Sequence, residues 1–376
     1  YAKFDRPAKA VGTWKEGALM PGVLRQSVKD YKNAAFALLG GSSALNGNDD
    51  TQFSSVVNAA SDVLVSLPVL YTSGKNDVSD TANVRKHYNT PAAYVYNNDM
   101  LGSFYSYEYA SVHVAVLNTN DALSDGTLSP SQVSWLREDL GSTTAKWKII
   151  SMDAPVFSGA SDNANLEKQL MNLFADLDVD LVLQSGANAY YRSHLIVDSE
   201  YQPLGDRIVR TFGGRQYEAL VGDGFMAVAP GAAGLAFGSA TENKDLYEKT
   251  ATQTNPVYTA VTVYENNITV DTWAVTAAGG RTRIDGAAIE KKGAQYRMGD
   301  IDSDNAVTTA DARLALRYAV GLQTLAREQK LKADVDLSRS ITVADARAIL
   351  RAAVGLEPIN PAFREYFQKD LDAIDF

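Results

Sequence analysis

The sequence predicts a large α/β domain over residues 1–295, followed by a small all-α domain over residues 298–357. In the large domain, short apolar segments bounded by turn residues alternate with segments of helical periodicity. This alternation is typical of a layered sheet with helices outside it. In the small domain, one sequence segment occurs twice, beginning at Gly299 and again at Ala333, 34 residues later.

Five segments of the large domain have the pattern of buried strands, since each is short, apolar and flanked by turn residues. They are Ala34–Gly40, Leu64–Tyr71, Val112–Asn118, Trp147–Met152 and Asp180–Gln184. Two later segments, Tyr258–Tyr264 and Ile268–Ala274, alternate apolar and polar residues around Asn266 and Asn267. That arrangement predicts a hairpin late in the domain.

The helix with the clearest boundaries is predicted over Pro130–Leu140. Ser129 is expected to cap it, and proline suits its first position. Gln132, three residues after Ser129, is expected to complete a capping box. Gly141 is expected to end the helix.

The composition excludes several kinds of site. The 376 residues include no cysteine, which excludes disulfides, thiolate metal sites and a cysteine nucleophile. The net charge of −10 argues against nucleic-acid binding, which needs a basic face. No apolar run approaches the length that a bilayer requires, so no membrane insertion is predicted. Because the chain begins at Tyr1 rather than Met, we expect a mature, secreted product whose signal peptide has been removed.

Each copy of the repeat predicts a calcium loop followed by a helix. Aspartates at alternate positions allow a tight loop to turn several oxygens toward one hard cation. The ligands predicted in the first loop are Asp300, Asp302, Asp304, the Ala306 carbonyl, Thr308 through water, and Asp311. Those predicted in the second loop are Asp334, Asp336, Ser338, the Ser340 carbonyl, Thr342 and Asp345. A helix cap without a metal is the alternative interpretation of such acidic turns.

The second loop is predicted to be the weaker of the two calcium sites. Ser338 stands where the first loop has a carboxylate, so the second loop has one anionic ligand fewer. Loop position 6 favours a left-handed backbone. Asn305 tolerates this backbone, whereas at Arg339 it costs about 1–2 kcal/mol of conformational energy. We therefore expect two bound calcium ions, with the first site filling before the second.

The aspartate at loop position 12, together with the paired "ADAR" and "VGL" segments, resembles dockerins. These calcium-dependent modules bind cohesin domains on cellulosomal scaffolds and cell surfaces. The resemblance implies a partner that is a cohesin-type protein or another copy of this chain. The positions that it implies for partner contact are Thr309, Ala310, Arg317, Tyr318, Val343, Ala344 and Arg351. The two copies differ at these positions, which argues against a symmetric dual binding mode.

The tail over residues 358–376 predicts an amphipathic helix. Its apolar residues recur at steps of three and four: Phe363, Tyr366, Phe367, Leu371 and Ile374. Packing on the neighbouring domain and docking on another subunit are the two interpretations of this pattern.

Several motifs of the large domain resemble those of calcineurin-like metallophosphoesterases, including purple acid phosphatases. They are "FYSYEYASVHVAVLNTN", "LSPSQVSWLREDLGSTTAKWKIISMDAPVFS", "DVDLVLQSGANAYYRSH" and "PVYTAVTVYENNITVDTW". The resemblance implies a layered β-sandwich with flanking helices. In that family two metal ions clamp a phosphate and activate a water.

Other residues replace the family's metal ligands at several positions. These positions are Gly41, Lys75, Asp153, Ala187 and Ala189, and Asn76 stands where the family has its catalytic histidine. The ammonium group of Lys75 would repel a metal ion. The three histidines, His87, His113 and His194, match no ligand position, and His87 is expected to be solvated. The resemblance therefore implies a member of the family without catalytic activity.

Alternatives remain open at this stage. Oxygen atoms of Asn76, Asp77, Asp153 and Asn188 could hold one calcium or magnesium ion. The tyrosines form a run that predicts either packing under a loop or a surface for sugar or protein: Tyr94, Tyr96, Tyr105, Tyr107 and Tyr109. The expected function is that of a secreted, non-catalytic structural or binding subunit of an extracellular assembly, attached through its calcium module. A cellulosomal phosphoesterase with an atypical metal site and a carbohydrate-binding module are the alternatives.

Overall fold

The computed structural model divides the chain into two compact units, Tyr1–Lys292 and Gly293–Phe376. The structure describes residues 2–3, 19–41, 44, 46–79, 81–91, 102–158, 163–203, 205, 207–212, 214–222, 224–233, 237–264, 266–276, 279–291, 298–302, 307–325, 327–336, 338 and 340–359. Among these residues, no helix is both long enough and apolar enough to span a membrane. Tyr94, Tyr96 and most of the predicted tail lie outside the described residues.

The described part of the large unit is mixed α/β, as predicted. Its helices are α1 (Leu19–Asp30), α2 (Asp50–Ala59), α3 (Ser61–Leu64), α4 (Thr81–Tyr88), α5 (Pro130–Ser142) and α6 (Ala164–Asp176). Its strands are β1 (Ala2–Lys3), β2 (Ala37–Gly41), β3 (Val69–Ser73), β4 (Tyr105–Tyr109), β5 (Val112–Val116), β6 (Trp147–Met152), β7 (Leu181–Gln184), β8 (Tyr190–Val197), β9 (Glu200–Gln202), β10 (Arg207–Phe212), β11 (Arg215–Val221), β12 (Phe225–Ala229), β13 (Tyr247–Ala251), β14 (Val257–Val263), β15 (Asn267–Val275) and β16 (Arg281–Glu290).

The described strands form three sheets. β1, β2 and β3 pair in that order, and the large sheet runs β13-β8-β12-β7-β6-β5-β4, with β9 added on β8. The third sheet has the order β10-β11-β16-β15-β14. Strands β5, β6 and β7 are parallel, and α5 and α6 are the crossover helices between them. The predicted hairpin is confirmed, because β14 and β15 pair antiparallel from Val263 and Ile268 at the turn.

Apolar side chains fill both faces of the large sheet. One cluster, which includes Val114, Ile149 and Met226, packs against Ile268 and Ile289 of the five-stranded sheet. A second cluster joins the opposite face to α5 and α6. The large unit is therefore a β-sandwich with helices outside it.

The predicted strand Leu64–Tyr71 is wrong in its first half. Leu64 ends the short helix α3, Val65 is 82% exposed, and the strand begins only at Val69. Pro68 precedes the strand and its carbonyl accepts a hydrogen bond from Ala37 N at 2.9 Å. An apolar run of this length does not by itself distinguish the end of a helix from a strand.

Helix α5 confirms its predicted cap but corrects two details. The Ser129 hydroxyl accepts from Gln132 N at 3.3 Å. The Gln132 side chain does not complete a capping box: its Oε1 accepts from Asn118 N at 2.8 Å and its Nε2 donates to Asn118 O at 3.0 Å. Gly141 does not end the helix, which continues to Ser142.

The described part of the small unit contains α7 (Thr309–Ala319), α8 (Arg327–Ala333) and α9 (Val343–Ala353). Both α7 and α9 begin with a capping box, in which a threonine N-cap and an aspartate three residues later bond reciprocally. Gly321 and Gly355 follow the two helices with φ of 74°, a backbone that glycine adopts without strain. Corresponding apolar residues of the two copies, such as Ile301 and Val335, share one core.

Candidate functional site

Three carboxylates of the first loop converge at the start of α7. Asp300, Asp302 and Asp311 each offer one oxygen, and these oxygens lie within 4.8 Å of one another. Asp300 and Asp311 are almost fully buried, with exposures of 1% and 0%. Two other predicted ligands of this loop, Asp304 and Ala306, lie outside the described residues, as does Asn305.

Asp311 organises the first loop through hydrogen bonds from both sides. Its Oδ1 accepts from Ile301 N at 2.7 Å and from Asp302 N at 3.1 Å. Its Oδ2 accepts from Thr308 N at 2.8 Å and from the Thr308 hydroxyl at 3.0 Å. The carboxylate thus caps the helix and also fixes the backbone where the loop begins.

The second loop repeats this arrangement. Oxygens of Asp334, Asp336 and Asp345 lie within 4.8 Å of one another. Asp345 accepts from Val335 N, Asp336 N and Thr342 N at 3.0, 3.3 and 2.8 Å, and Asp334 is 1% exposed. Both clusters suit calcium, because oxygens at about 2.3–2.6 Å from an ion can be up to about 5 Å apart across it.

Ser338 distinguishes the second loop from the first. Its N–H donates to Asp334 Oδ1 at 3.0 Å and to Asp336 Oδ1 at 2.9 Å. Its hydroxyl donates to Ser340 O at 3.1 Å, so two predicted ligands bond to each other. Partial burial acts to raise the pKa of Asp336, but hydrogen bonds, chiefly from Ser338, lower it below its usual value. Arg339 lies outside the described residues.

The positions implied for partner contact lie at the beginnings and along the surfaces of the two helices. Thr309, Arg317, Val343 and Ala344 are exposed, whereas Ala310, Tyr318 and Arg351 are partly buried. Sequence reasoning missed the exposed apolar residues beside them, which are Leu316, Val320, Leu350 and Val354. The signal that could have identified them is the spacing of four residues in each copy, which joins a residue in the last turn of the helix to the residue that follows the helix.

Asp77 of the large unit, one of the four residues whose oxygens could hold a single calcium or magnesium ion, faces the interior. It is 0% exposed, and its Oδ1 accepts from Ala44 N at 3.1 Å. Its Oδ2 accepts from the Tyr71 hydroxyl at 2.6 Å and from Gly74 N at 2.9 Å. Burial raises the pKa of Asp77 to about 7, although these hydrogen bonds act to lower it.

Asp153, Ala187 and Ala189, which stand where the family has metal ligands, are the remaining residues of interest in the large unit. Asp153 Oδ1 accepts from the Ser185 hydroxyl at 2.6 Å, and its Oδ2 accepts from Lys75 N at 3.2 Å. Ala187 and Ala189 are buried in an apolar cluster that also contains Tyr191 and Tyr247.

The prediction that His87 is solvated is wrong. Its side chain is only 12% exposed and lies in α4. The ring stacks on Phe53 with centroids 5.7 Å apart, and Nε2 lies 2.7 Å from Asp50 Oδ1. The partners are more than thirty positions away in the sequence, so local polarity gave no indication of them.

The other two histidines also bind carboxylates within the large unit. His113 Nε2 lies 2.7 Å from Asp139 Oδ2, and its Nδ1 lies 3.2 Å from Glu108 Oε2. Burial acts to lower the pKa of His113, but the two carboxylates outweigh it and raise the pKa. His194 Nδ1 lies 2.7 Å from Glu248 Oε2.

Comparison with solved structures identifies the fold. A purple acid phosphatase isolated from yellow lupin (Lupinus luteus) seeds superimposes with a TM-score of 0.54 at 13% identity, over 75% of this chain and 50% of that one. The fold is metallophosphoesterase-like. This chain spans only half the length of the lupin enzyme, and at 13% identity the likeness extends to the fold alone.

Two further structures have lower TM-scores. A putative 5′-nucleotidase from Staphylococcus aureus gives a TM-score of 0.36 at 9% identity, over 77% of this chain and 52% of that one. Vps29 of Chaetomium thermophilum gives 0.25 at 10% identity, over 70% and 88%. No protein-family model matches the sequence, and no curated protein matches it either.

Proposed function

We propose that this chain is a secreted, non-catalytic subunit of an extracellular assembly, attached through a calcium-binding, dockerin-like C-terminal unit. The observation that carries the proposal is the repeated cluster of three aspartates, in the same hydrogen-bonding frame, at the start of α7 and of α9. The partner is a cohesin-type protein or a second copy of this chain, and carbohydrate is a further possible ligand of the large unit.

Calcium supplies no chemistry in this proposal; it holds the loops in a conformation that binds a partner. In the first loop an ion would replace the donation from the Thr308 hydroxyl to Asp311, the one bond of four that comes from a side chain. The second loop has the equivalent donation from the Thr342 hydroxyl to Asp345, and an ion there would compete in addition with the bond between Ser338 and Ser340. The first site is therefore proposed to bind calcium more tightly.

The non-catalytic part of the proposal is supported by the bonds that hold two carboxyl groups of the large unit. Asp77 is buried and accepts three hydrogen bonds, and Asp153 accepts from Ser185 and Lys75. These bonds hold the two carboxyl groups in place, and burial raises the pKa of Asp77 to about 7, so this group takes up a proton more readily than an exposed aspartate does.

Calorimetric titration of the chelator-treated full chain with calcium tests the proposal. We expect two sites, and Asp302→Asn should weaken the tighter one, whereas the matched variant Asp336→Asn should weaken the looser one. Absence of calcium binding would contradict the attachment role. Metal analysis with phosphomonoester and phosphodiester assays is the second measurement, and turnover with a stoichiometric transition metal would favour the phosphoesterase alternative.

A further inference from the structure

An ion-pair cluster around His113 joins three elements of the large unit. His113 lies in β5, and its side chain is 8% exposed. Its Nε2 lies 2.7 Å from Asp139 Oδ2 of α5, and its Nδ1 lies 3.2 Å from Glu108 Oε2 of β4. The Ser106 hydroxyl donates to Asp139 Oδ1 at 2.6 Å, and the Thr143 hydroxyl donates to Glu108 Oε2 at 2.8 Å. One imidazole ring therefore connects strand β4, strand β5 and helix α5.

Both ring nitrogens of His113 face a carboxylate, and this sets the number of protons on the ring. A neutral imidazole has one N–H group and one acceptor nitrogen, whereas the imidazolium ion has two N–H groups. With a neutral ring, one of the two carboxylates would face a nitrogen lone pair, which repels it. The arrangement therefore requires an imidazolium ion that donates to both carboxylates. Burial acts to lower the pKa of His113, but Asp139 and Glu108 outweigh it and raise the pKa.

Two cations on the elements around His113 have partners elsewhere. Lys148 of β6 stands in register with His113, and its ammonium group donates to Leu177 O at 2.9 Å. Arg137 of α5 pairs with Asp176 at 2.9 Å. In the part of the chain that the structure describes, no other cation pairs with the two carboxylates of the cluster. Nothing there replaces the charge of the ring when its proton leaves.

The contact of the ring with Glu108 is weaker than its contact with Asp139. It is longer, at 3.2 Å against 2.7 Å. The Glu108 side chain is 53% exposed, so water can replace its partner, whereas Asp139 is only 13% exposed. A carboxylate left buried without a partner costs more free energy than one that turns to water. When His113 loses a proton, the remaining N–H group should therefore stay on Nε2, and the contact between Nδ1 and Glu108 should break.

Glu108 lies in the strand at the edge of the large sheet. Strand β4 is the last in the strand order, and Glu108 pairs with His113 in the antiparallel register of β4 and β5. The neighbouring Tyr107 and Tyr109 are 37% and 49% exposed. Both rings contact Phe36, with centroids 5.8 and 6.0 Å apart. Release of Glu108 would thus act on the strand end that carries two exposed tyrosines.

We propose that His113 is a pH-sensitive latch: as an imidazolium ion it holds the end of β4 to α5, and on deprotonation it releases Glu108 and keeps Asp139. Because the pKa of His113 is raised in the folded chain, the latch is fully closed below its ordinary value of 6.5 and opens as pH rises through the folded value. Since Glu108 is half exposed, opening should raise amide hydrogen exchange at the end of β4 only about two- to fivefold.

Two measurements on the full chain test this proposal. In an NMR pH titration of labelled histidine rings, His113 should have a midpoint above about 6.5, and His113→Gln identifies its signal. Glu108→Gln keeps the size of the side chain and removes its charge, so it should lower this midpoint. If His113→Gln does not fold, that shift identifies the signal instead.

Hydrogen exchange of residues 107–110 is the second measurement, at pH values below and above the midpoint. Its rate in the wild type, relative to Glu108→Gln at the same pH, should rise about two- to fivefold across the midpoint. The variant is the matched control because an amide can donate to or accept from either form of the ring. Exchange in residues 137–141 of α5 should not rise in this way.

Three results would overturn the proposal. They are a His113 midpoint at or below about 6.5, parallel exchange profiles in the wild type and Glu108→Gln, and release of α5 instead of β4. Calcium and a partner take no part in either measurement, so the outcome is independent of the proposed attachment function.

Discussion

The Asp77 carboxyl group should carry a proton in the folded protein at pH values where an exposed aspartate is ionised. The Tyr71 hydroxyl lies 2.8 Å from Gly41 O and 2.6 Å from Asp77 Oδ2. A hydroxyl has one proton, so it can donate to only one of these acceptors. If Asp77 is protonated, it donates to Tyr71 and Tyr71 donates to Gly41, so both contacts become hydrogen bonds.

This proton makes stability depend on pH. Burial raises the pKa of Asp77 from 3.8 to about 7, so between these values the folded chain binds a proton that the unfolded chain releases. Stability therefore falls as pH rises through this window. Integration between about pH 5 and about pH 8 gives a loss of about 2.6 kcal/mol in the free energy of unfolding.

Urea unfolding followed by tryptophan fluorescence measures this loss, because all four tryptophans lie in the large unit. The control is Asp77→Asn, which removes the titrating group and keeps the size of the side chain. The stability of the wild type relative to this variant should fall by about 2.6 kcal/mol from about pH 5 to about pH 8. Parallel pH profiles for the two proteins would refute the argument, since other groups titrate alike in both.

Two glycine substitutions should have opposite effects on the stability of the large unit. In Gly286→Ala the new Cβ would lie 1.6 Å from Arg283 Nη2, which displaces the guanidinium from Asp271 and should lower the free energy of unfolding by about 1–2 kcal/mol. Unchanged stability would show that Arg283 moves without loss. In Gly141→Ala the Cβ meets nothing within 4 Å inside α5, so helix propensity should raise stability by about 0.5–1 kcal/mol. Both are measured by the same urea unfolding, and a decrease at position 141 would contradict the extended helix.

Elements whose signals are local were predictable from the sequence. Trp147–Met152 forms β6 with the predicted bounds, because turn residues flank a short apolar run. The Ser129 cap was likewise predictable, since it bonds only three positions away. The prediction for Gln132 failed because a tertiary partner, Asn118, satisfies its side chain better than the helix terminus does. Such competition between local and distant donors cannot be derived from spacing alone.

The aspartates of the two units show why residue type alone does not predict a metal site. Asp77 lies among donors, and a single proton neutralises it with no ion. In the first loop, Asp300, Asp302 and Asp311 bring three carboxylates within 4.8 Å of one another. Two like charges at about 4 Å repel by about 1–4 kcal/mol, depending on the local dielectric. Backbone donors offset part of this repulsion at Asp311, and a divalent cation would offset the rest. The same residue type therefore favours a proton at Asp77 and, in our proposal, calcium in the small unit, and the arrangement of the groups around each aspartate makes the difference.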